Sequence, residues 1–188
     1  ADAFIEVDEQ AKAMLRNERT PYDVIIVDLP DPSHPDLNKL YSTYFYARIR
    51  SLLAADGTVA IQSTSPYHAK LAFQSIGKSL ADAGFLTDQY HANVPSFGEW
   101  GWTLGTLTGR SGLARIRDAE FDRTLDGFLD KRQIEAAFIF APDFYKNLPD
   151  VEINRLGTHT VFRYHQEAWQ RYQGVFYTES VLGSRSSD

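Results

Sequence analysis

The stretch YDVIIV at residues 22–27 sets the strongest limit on what this chain can fold into. Apart from Asp23 it is apolar and largely β-branched, with no alternation of inward and outward residues. Such a run is the pattern of a parallel strand covered on both faces, so helices are expected on each side of the sheet. The flanking segments agree. Val7, Ala11, Met14 and Leu15 recur at helical spacing and predict a helix over 5–17, broken before Pro21. Tyr41, Tyr44, Phe45, Ile49 and Leu52 mark one face of a second helix, with Asn38 as its expected N-cap. Asp56-Gly57 is read as a turn into a second buried strand over 58–62. Ala69, Phe73, Ile76, Leu80 and Ala83 mark a third helix, closed by Gly84. Segments 85–94 and 102–107 read as two further strands joined by a loop over 95–101. This alternation predicts a doubly wound α/β sheet, in which ligands bind beyond the carboxyl ends of the strands.

Beyond residue 110 the pattern changes. Residues 111–126 are polar and read as loop or short helix, and 129–140 as a helix with Asp130 near its start. Residues 151–164 read as two short extended pieces around Leu156-Gly157, and the tail 183–188 as disordered. The expected division is therefore a sheet domain over 1–110 and an appended helical and extended segment over 111–188. ADAF at 1–4 reads as the end of a strand entering a helix, and the single methionine is Met14. The chain is therefore expected to be part of a longer protein.

Composition narrows the chemistry. The absence of cysteine excludes disulfides, thiolate metal sites and a cysteine nucleophile, and suits a cytoplasmic protein. A net charge of -6 argues against nucleic acid as the main partner and is compatible with cationic ligands. No apolar run approaches the length of a membrane span, and no signal peptide is visible. The five histidines have no HExxH or comparable spacing, so no metal is expected. No GxSxG frame, GxGxxG turn or P-loop occurs.

The first buried strand runs directly into Asp28-Leu-Pro-Asp31-Pro32. Two readings stand. In one, Asp28 caps a turn and Asp31 opens another, since aspartate before proline is common loop chemistry. In the other, Pro30 and Pro32 stiffen the loop around a pair of carboxylates placed to bind and deprotonate an ammonium group. Gln62, at the end of the neighbouring strand, either marks that end or hydrogen-bonds the same ligand. Trp102 sits within a strand pattern and is read as core. Phe97 and Trp100 lie in a Gly-rich loop, where aromatics wall a ligand site or an interface.

The stretches YDVIIVDLPDPSHPDLNKLYSTYFY at 22–46 and LLAADGTVAIQSTSPY at 52–67 resemble the polyamine aminopropyltransferases, the spermidine synthase family. ADAF at 1–4, VPSFGEWGW at 94–102, AAFIFAPDF at 136–144 and VEINRL at 151–156 extend the resemblance in the family's order. Within the family it is strongest to the bacterial form whose catalytic domain is fused to a membrane-spanning N-terminal region. The resemblance implies a Rossmann-like sheet of the class I methyltransferase type, of which this chain would be the C-terminal portion, with the first strands missing. It implies transfer of an aminopropyl group from decarboxylated S-adenosylmethionine, a co-substrate and not a tightly bound cofactor, to an amine such as putrescine. Methylthioadenosine is the other product.

By resemblance Asp28 matches the aspartate that deprotonates the attacking amine, and Asp31 the one that anchors it. Asp2 and Ala3 match the pair that holds the adenine, and Gln62 a glutamine beside the substrate. Phe97 falls where soluble members carry a tyrosine, close to Trp100. The implied partners are polyamine and adenosyl small molecules, together with a homodimer mate or the missing N-terminal part. The implied location is the cytoplasm, or the cytoplasmic face of the inner membrane for a membrane-fused protein. Two other expectations remain open: a methyltransferase of the same fold using intact S-adenosylmethionine, and a non-catalytic binding or assembly module.

Overall fold

The β-branched run forms strand β1 (Tyr22–Val27), and the second apolar run forms its parallel neighbour β2 (Leu53–Gln62). The structure is a computed structural model that describes residues 2–120 and 129–182, with side chains as far as 172. Helix α1 (Ala3–Leu15) precedes β1, α2 (Thr43–Leu52) connects β1 to β2, and α3 (Lys70–Asp82) follows β2. Strands β3 (Leu86–Val94) and β4 (Gly98–Thr106) then form an antiparallel hairpin. The sheet order is β1-β2-β4-β3, because β4 folds back to pair antiparallel with β2. The result is a mixed α/β sheet: β1 and β2 are parallel, and the hairpin reverses direction. The tail carries the short helices α4 (Gly112–Asp118) and α5 (Lys131–Ala136) and the long α6 (Thr160–Leu182).

Several expectations are corrected. Among the described residues β1 pairs on one edge only, and Val24 and Ile26, which share one face of the strand, are 61% and 76% exposed, so β1 is not covered on both faces. Asp56-Gly57 lies inside β2, where the β1–β2 register jumps from Tyr22↔Leu53 to Val24↔Thr58. That irregularity lets β2 start earlier than 58. Asn38 does not cap α2. It is buried in a 3-10 turn (Pro35–Tyr41), and the Ser42 hydroxyl accepts the Phe45 N–H at the true N-cap. The expected loop over 95–101 shrinks to a tight turn at Pro95-Ser96-Phe97, because Gly98, with φ of 77°, lets β4 begin at once. No strand forms over 151–164; α6 starts at Thr160 instead. The helix expected over 129–140 is the shorter α5, held at its start by a capping box between Asp130 and Gln133. The tail 183–188 and residues 121–128 lie outside the described residues.

The core fills the space between the sheet and its helices. Tyr41, Phe45, Tyr46 and Ile49 meet Val59 and Ile61 of β2, and Ala72, Ile76 and Leu80 of α3 join the same cluster. α1 packs on α2, and α3 packs on α6 as well as against β3 and β4. One glycine fixes the closeness of this packing at the carboxyl end of β2. A Cβ at Gly101 would stand 2.5 Å from the Phe73 ring and 2.9 Å from the Thr64 carbonyl. The reason is visible in the backbone: Gly101 N–H donates to Thr64 O, and Ser63 N–H donates to Gly101 O, each at 2.8 Å. Replacing Gly101 with alanine is therefore expected to destabilise the protein by about 1–3 kcal/mol. Chemical denaturation of the full-length protein checks this, and an unchanged midpoint would show that the Phe73 ring swings away freely.

Candidate active site

The parallel pairing of β1 and β2 brings their carboxyl ends side by side, which puts Asp28 next to the end of the strand that finishes at Gln62. There the two carboxylates separate in character. Asp28 is exposed, and among the described residues no side chain hydrogen-bonds its carboxylate. Asp31 is partly buried and held from three directions. Gln62 Nε2 donates to Oδ1 at 2.9 Å, and Thr64 Oγ1 donates to Oδ2 at 3.3 Å. His165 Nε2 lies 3.3 Å from the same Oδ2. Pro32 is buried behind it, so the proline spacing noted in the sequence corresponds to a pinned loop.

The pinning continues through Tyr41, whose hydroxyl donates to Pro30 O at 2.7 Å and lies 3.2 Å from Gln62 Oε1. Burial, with the Asp31 and Asp28 charges adding to it, pushes the Tyr41 phenol far above its ordinary range. It is a neutral donor at any physiological pH. It holds the loop carbonyl and orients the Gln62 amide so that the NH2 faces Asp31. Thr64 has φ of 61°, a conformation that costs a β-branched residue about 1–3 kcal/mol. That strain sits one residue past Ser63, where the chain leaves β2 and turns its hydroxyl toward Asp31. A local cost at such a point is retained when the surrounding contacts over-determine it.

Two clefts open beside this loop. One, of about 380 Å³, runs along the open edge of β1 and is lined by Ala3, Val7, Ile26, Asp28 and Leu29 among others. The other, of about 530 Å³, is lined by Asp31, Ser33, His165, Gln166, Trp169 and Gln170. Asp28 thus faces one cleft and Asp31 the other, a few residues apart.

The remaining residues singled out in the sequence are placed differently. Asp2 is the N-cap of α1: Phe4 N–H donates to its Oδ1 at 2.9 Å, and Lys39 Nζ to its Oδ2 at 2.7 Å. The lysine contact first, and then the backbone bond, hold the Asp2 carboxyl below its usual range. Ala3 lines the β1-edge cleft together with Asp28. Phe97, 66% exposed at the hairpin tip, packs its ring on Trp100 at 5.5 Å. The hairpin tip projects past the same end of the sheet, yet Phe97 and Trp100 do not line the two clefts. Trp102, read as core, is instead partly buried: it stacks on Tyr90 and alternates with the buried Gly101 and Thr103, on the other face of β4 from them. Tyr41, Thr64, His165 and Trp169 were not singled out as site residues by the sequence. The detectable signal was the helical spacing of Val161, Tyr164, His165, Ala168 and Trp169, which marks one face of α6. Among the described residues no group of three or more His, Cys, Asp or Glu is arranged to hold a metal ion, and no helix is long and apolar enough to cross a membrane.

Comparison with known proteins identifies the family. A family profile described as the spermine/spermidine synthase domain matches residues 5–114, more than half the chain. A polyamine aminopropyltransferase of Shewanella oneidensis is 48% identical over 174 residues, covering 93% of this chain and 29% of that protein. Polyamine aminopropyltransferase 2 of Ralstonia nicotianae is 40% identical over 163 residues, covering 87% of this chain and 31% of its own length. The chain therefore spans about a third of the curated relatives it matches. Among solved structures, a spermidine synthase from Thermotoga maritima aligns with a TM-score of 0.54 at 19% identity, over 74% of this chain and 47% of that one. A spermidine synthase in complex with the transition-state analogue AdoDATO aligns with a TM-score of 0.53 at 18% identity, over 74% of this chain and 46% of that one. At those identities the structural likeness speaks for the fold.

Proposed function

The chain belongs to the spermine/spermidine synthase family, and from that premise we propose that its paired carboxylates serve aminopropyl transfer to an amine. The observation that carries this reading is the division of labour between Asp28 and Asp31. One carboxylate is open to an incoming ligand, and the other is held rigid between Gln62, Thr64 and His165. A polyamine acceptor is a chain of ammonium groups, and a carboxylate is the group that attracts, orients and deprotonates them.

In this mechanism the donor is decarboxylated S-adenosylmethionine and the acceptor an amine such as putrescine. Asp31 anchors the acceptor through its charge while Gln62 and Tyr41 keep the anchor in place. Asp28 takes one proton from the reacting ammonium. The freed nitrogen lone pair attacks the aminopropyl carbon bonded to the sulfonium; an N–C bond forms, the C–S bond breaks, and its electron pair returns to sulfur. The products are the extended amine and neutral methylthioadenosine. Holding the two reactants in line contributes much of the rate, because it replaces a bimolecular encounter with an oriented one. Asp2 and Ala3 are assigned to the adenine side, which the β1-edge cleft shared by Ala3 and Asp28 supports. Phe97 and Trp100 are assigned to the rim of the acceptor side, with Phe97 contributing ring surface where a hydroxyl would otherwise select the amine.

The test is a product assay on the full-length protein, with decarboxylated S-adenosylmethionine or S-adenosylmethionine as donor and a panel of diamines and triamines. The expected products are methylthioadenosine and an aminopropylated amine in equal amounts. A methylated amine would move the protein to the methyltransferases. Absence of turnover with every pair, in a protein that still binds methylthioadenosine, would make it a binding module.

A further inference from the structure

His165 is 4% exposed, and its Nε2 faces two groups that make opposite demands. Asp31 Oδ2, at 3.3 Å, is an acceptor and calls for a proton on Nε2. Trp169 Nε1, at 3.0 Å, is an indole N–H that can only donate and calls for a bare Nε2. One nitrogen cannot satisfy both at once. We infer that His165 is a positioning residue that alternates between Asp31 and Trp169 according to whether an acceptor ammonium occupies Asp31. The inference rests on the function proposed above for Asp31 and adds a residue to it.

The physical argument concerns what an arriving ammonium displaces. Without ligand, Oδ2 of Asp31 is served by Thr64 and His165, and Oδ1 by Gln62. A ligand ammonium brings up to three N–H donors and competes for the same lone pairs. The donor it displaces most readily is the one with another partner already in reach. Gln62 lies at a strand end, tied to Tyr41, and Thr64 is fixed by a strained backbone. His165 alone has a waiting alternative, since Trp169 stands one helical turn further along α6. When the ammonium takes Oδ2, the imidazole moves its proton from Nε2 to Nδ1 through the water of the cleft. Nε2 then accepts the Trp169 N–H. Net charge on the ring is unchanged, and the buried Nε2 keeps a partner in both states; an Nε2 left without one would weaken amine binding by roughly tenfold or more. Both residues line the cleft that reaches Asp31. In the empty site the same contact holds Asp31 in the geometry that the amine will meet.

The decisive measurement is the protonation of His165 Nε2, read by long-range 1H–15N NMR on full-length protein labelled with 15N-histidine. Nε2 is expected to carry hydrogen in the free protein and to lose it on saturation with putrescine. The same protonation state with and without putrescine would overturn the inference. Kinetics supply the second readout. His165→Leu is expected to raise KM for the amine about tenfold, with kcat and donor KM within about twofold. His165→Gln, which keeps both a donor and an acceptor, should recover most of that loss. Trp169→Phe removes the waiting partner and should raise amine KM several-fold while Nε2 stays protonated; an unchanged KM in Trp169→Phe would sink the alternation even if His165→Leu failed to fold. The function and the latch fail separately. If the wild-type protein transfers no aminopropyl group, Asp31→Ala in the ligand-free protein still reports on the latch, because it should drive Nε2 to the Trp169-accepting state, and an Nε2 that stays protonated there refutes it.

Discussion

Asp28→Asn in the full-length protein is expected to lower kcat for aminopropyl transfer by about a thousandfold, the scale of a lost general base. Melting should be almost unchanged, with a stability shift within about 0.5 kcal/mol. Both halves follow from the same observation. The Asp28 carboxylate is exposed and, among the described residues, no side chain hydrogen-bonds it, so an isosteric amide disturbs no packing and orphans no donor. The amide cannot take a proton from an ammonium. Asp31→Asn should behave differently, because Gln62, Thr64 and His165 all converge on that carboxylate. Its main effects are expected on amine KM and on stability. Steady-state kinetics with both substrates varied, alongside thermal unfolding, separates the two variants. Near-normal turnover in Asp28→Asn would show that another group takes the proton.

The contrast between these aspartates also marks how far local pattern carries. The β-branched run at 22–27 and the apolar stripes of α1, α2 and α3 were readable because each depends on residues a few positions apart. Asp28 and Gln62 at neighbouring strand ends followed from them, since parallel strands bring their carboxyl ends together. Strand order was less accessible. Whether β4 inserts between β2 and β3 depends on pairing across the chain, and nothing in the local pattern of 98–106 encodes its partner. At Asn38 the sequence pattern does not separate a helix cap from a buried loop tie, because both use the same side chain and the distant Phe162 N–H distinguishes them. Residues 151–164 read as extended because Val151 and Ile153 alternate with polar neighbours, but among the described residues they pair with no strand. His165 was invisible for the same reason: its meaning is its distance to Asp31, which lies 134 positions away in the chain.

The delivery of α6 to the site therefore rests on a tie that sequence pattern did not show, and Asn154→Ala is the sharpest way to break it. Asn154 is fully buried in the VEINRL stretch. Its Oδ1 accepts the N–H groups of Thr160 and Val161 at 3.0 and 3.4 Å, acting as the cap of α6, while its Nδ2 donates to Asn38 O at 3.1 Å. Asn38 in turn accepts the Phe162 N–H at 3.1 Å, so two asparagines bind the first turn of α6 to the loop that follows Asp31. Alanine removes the cap and leaves those buried N–H groups and the Asn38 carbonyl without that partner. Loss of a cap costs about 1 kcal/mol and each orphaned buried group about 1–3 kcal/mol, so a total of about 3–4 kcal/mol is expected after partial relaxation. The Asn154 backbone contributes separately, its N–H donating to Ser79 Oγ at 2.8 Å, and survives the substitution. The damage should therefore concentrate on α6. Hydrogen exchange in the full-length protein is expected to speed up first at Thr160, Val161 and Phe162, and amine KM to rise as His165 loses its place beside Asp31. Should the variant lose less than about 1 kcal/mol, with exchange at these amides unaltered, water would be capping α6 equally well. His165 would then owe its position to the packing of α6 against α3.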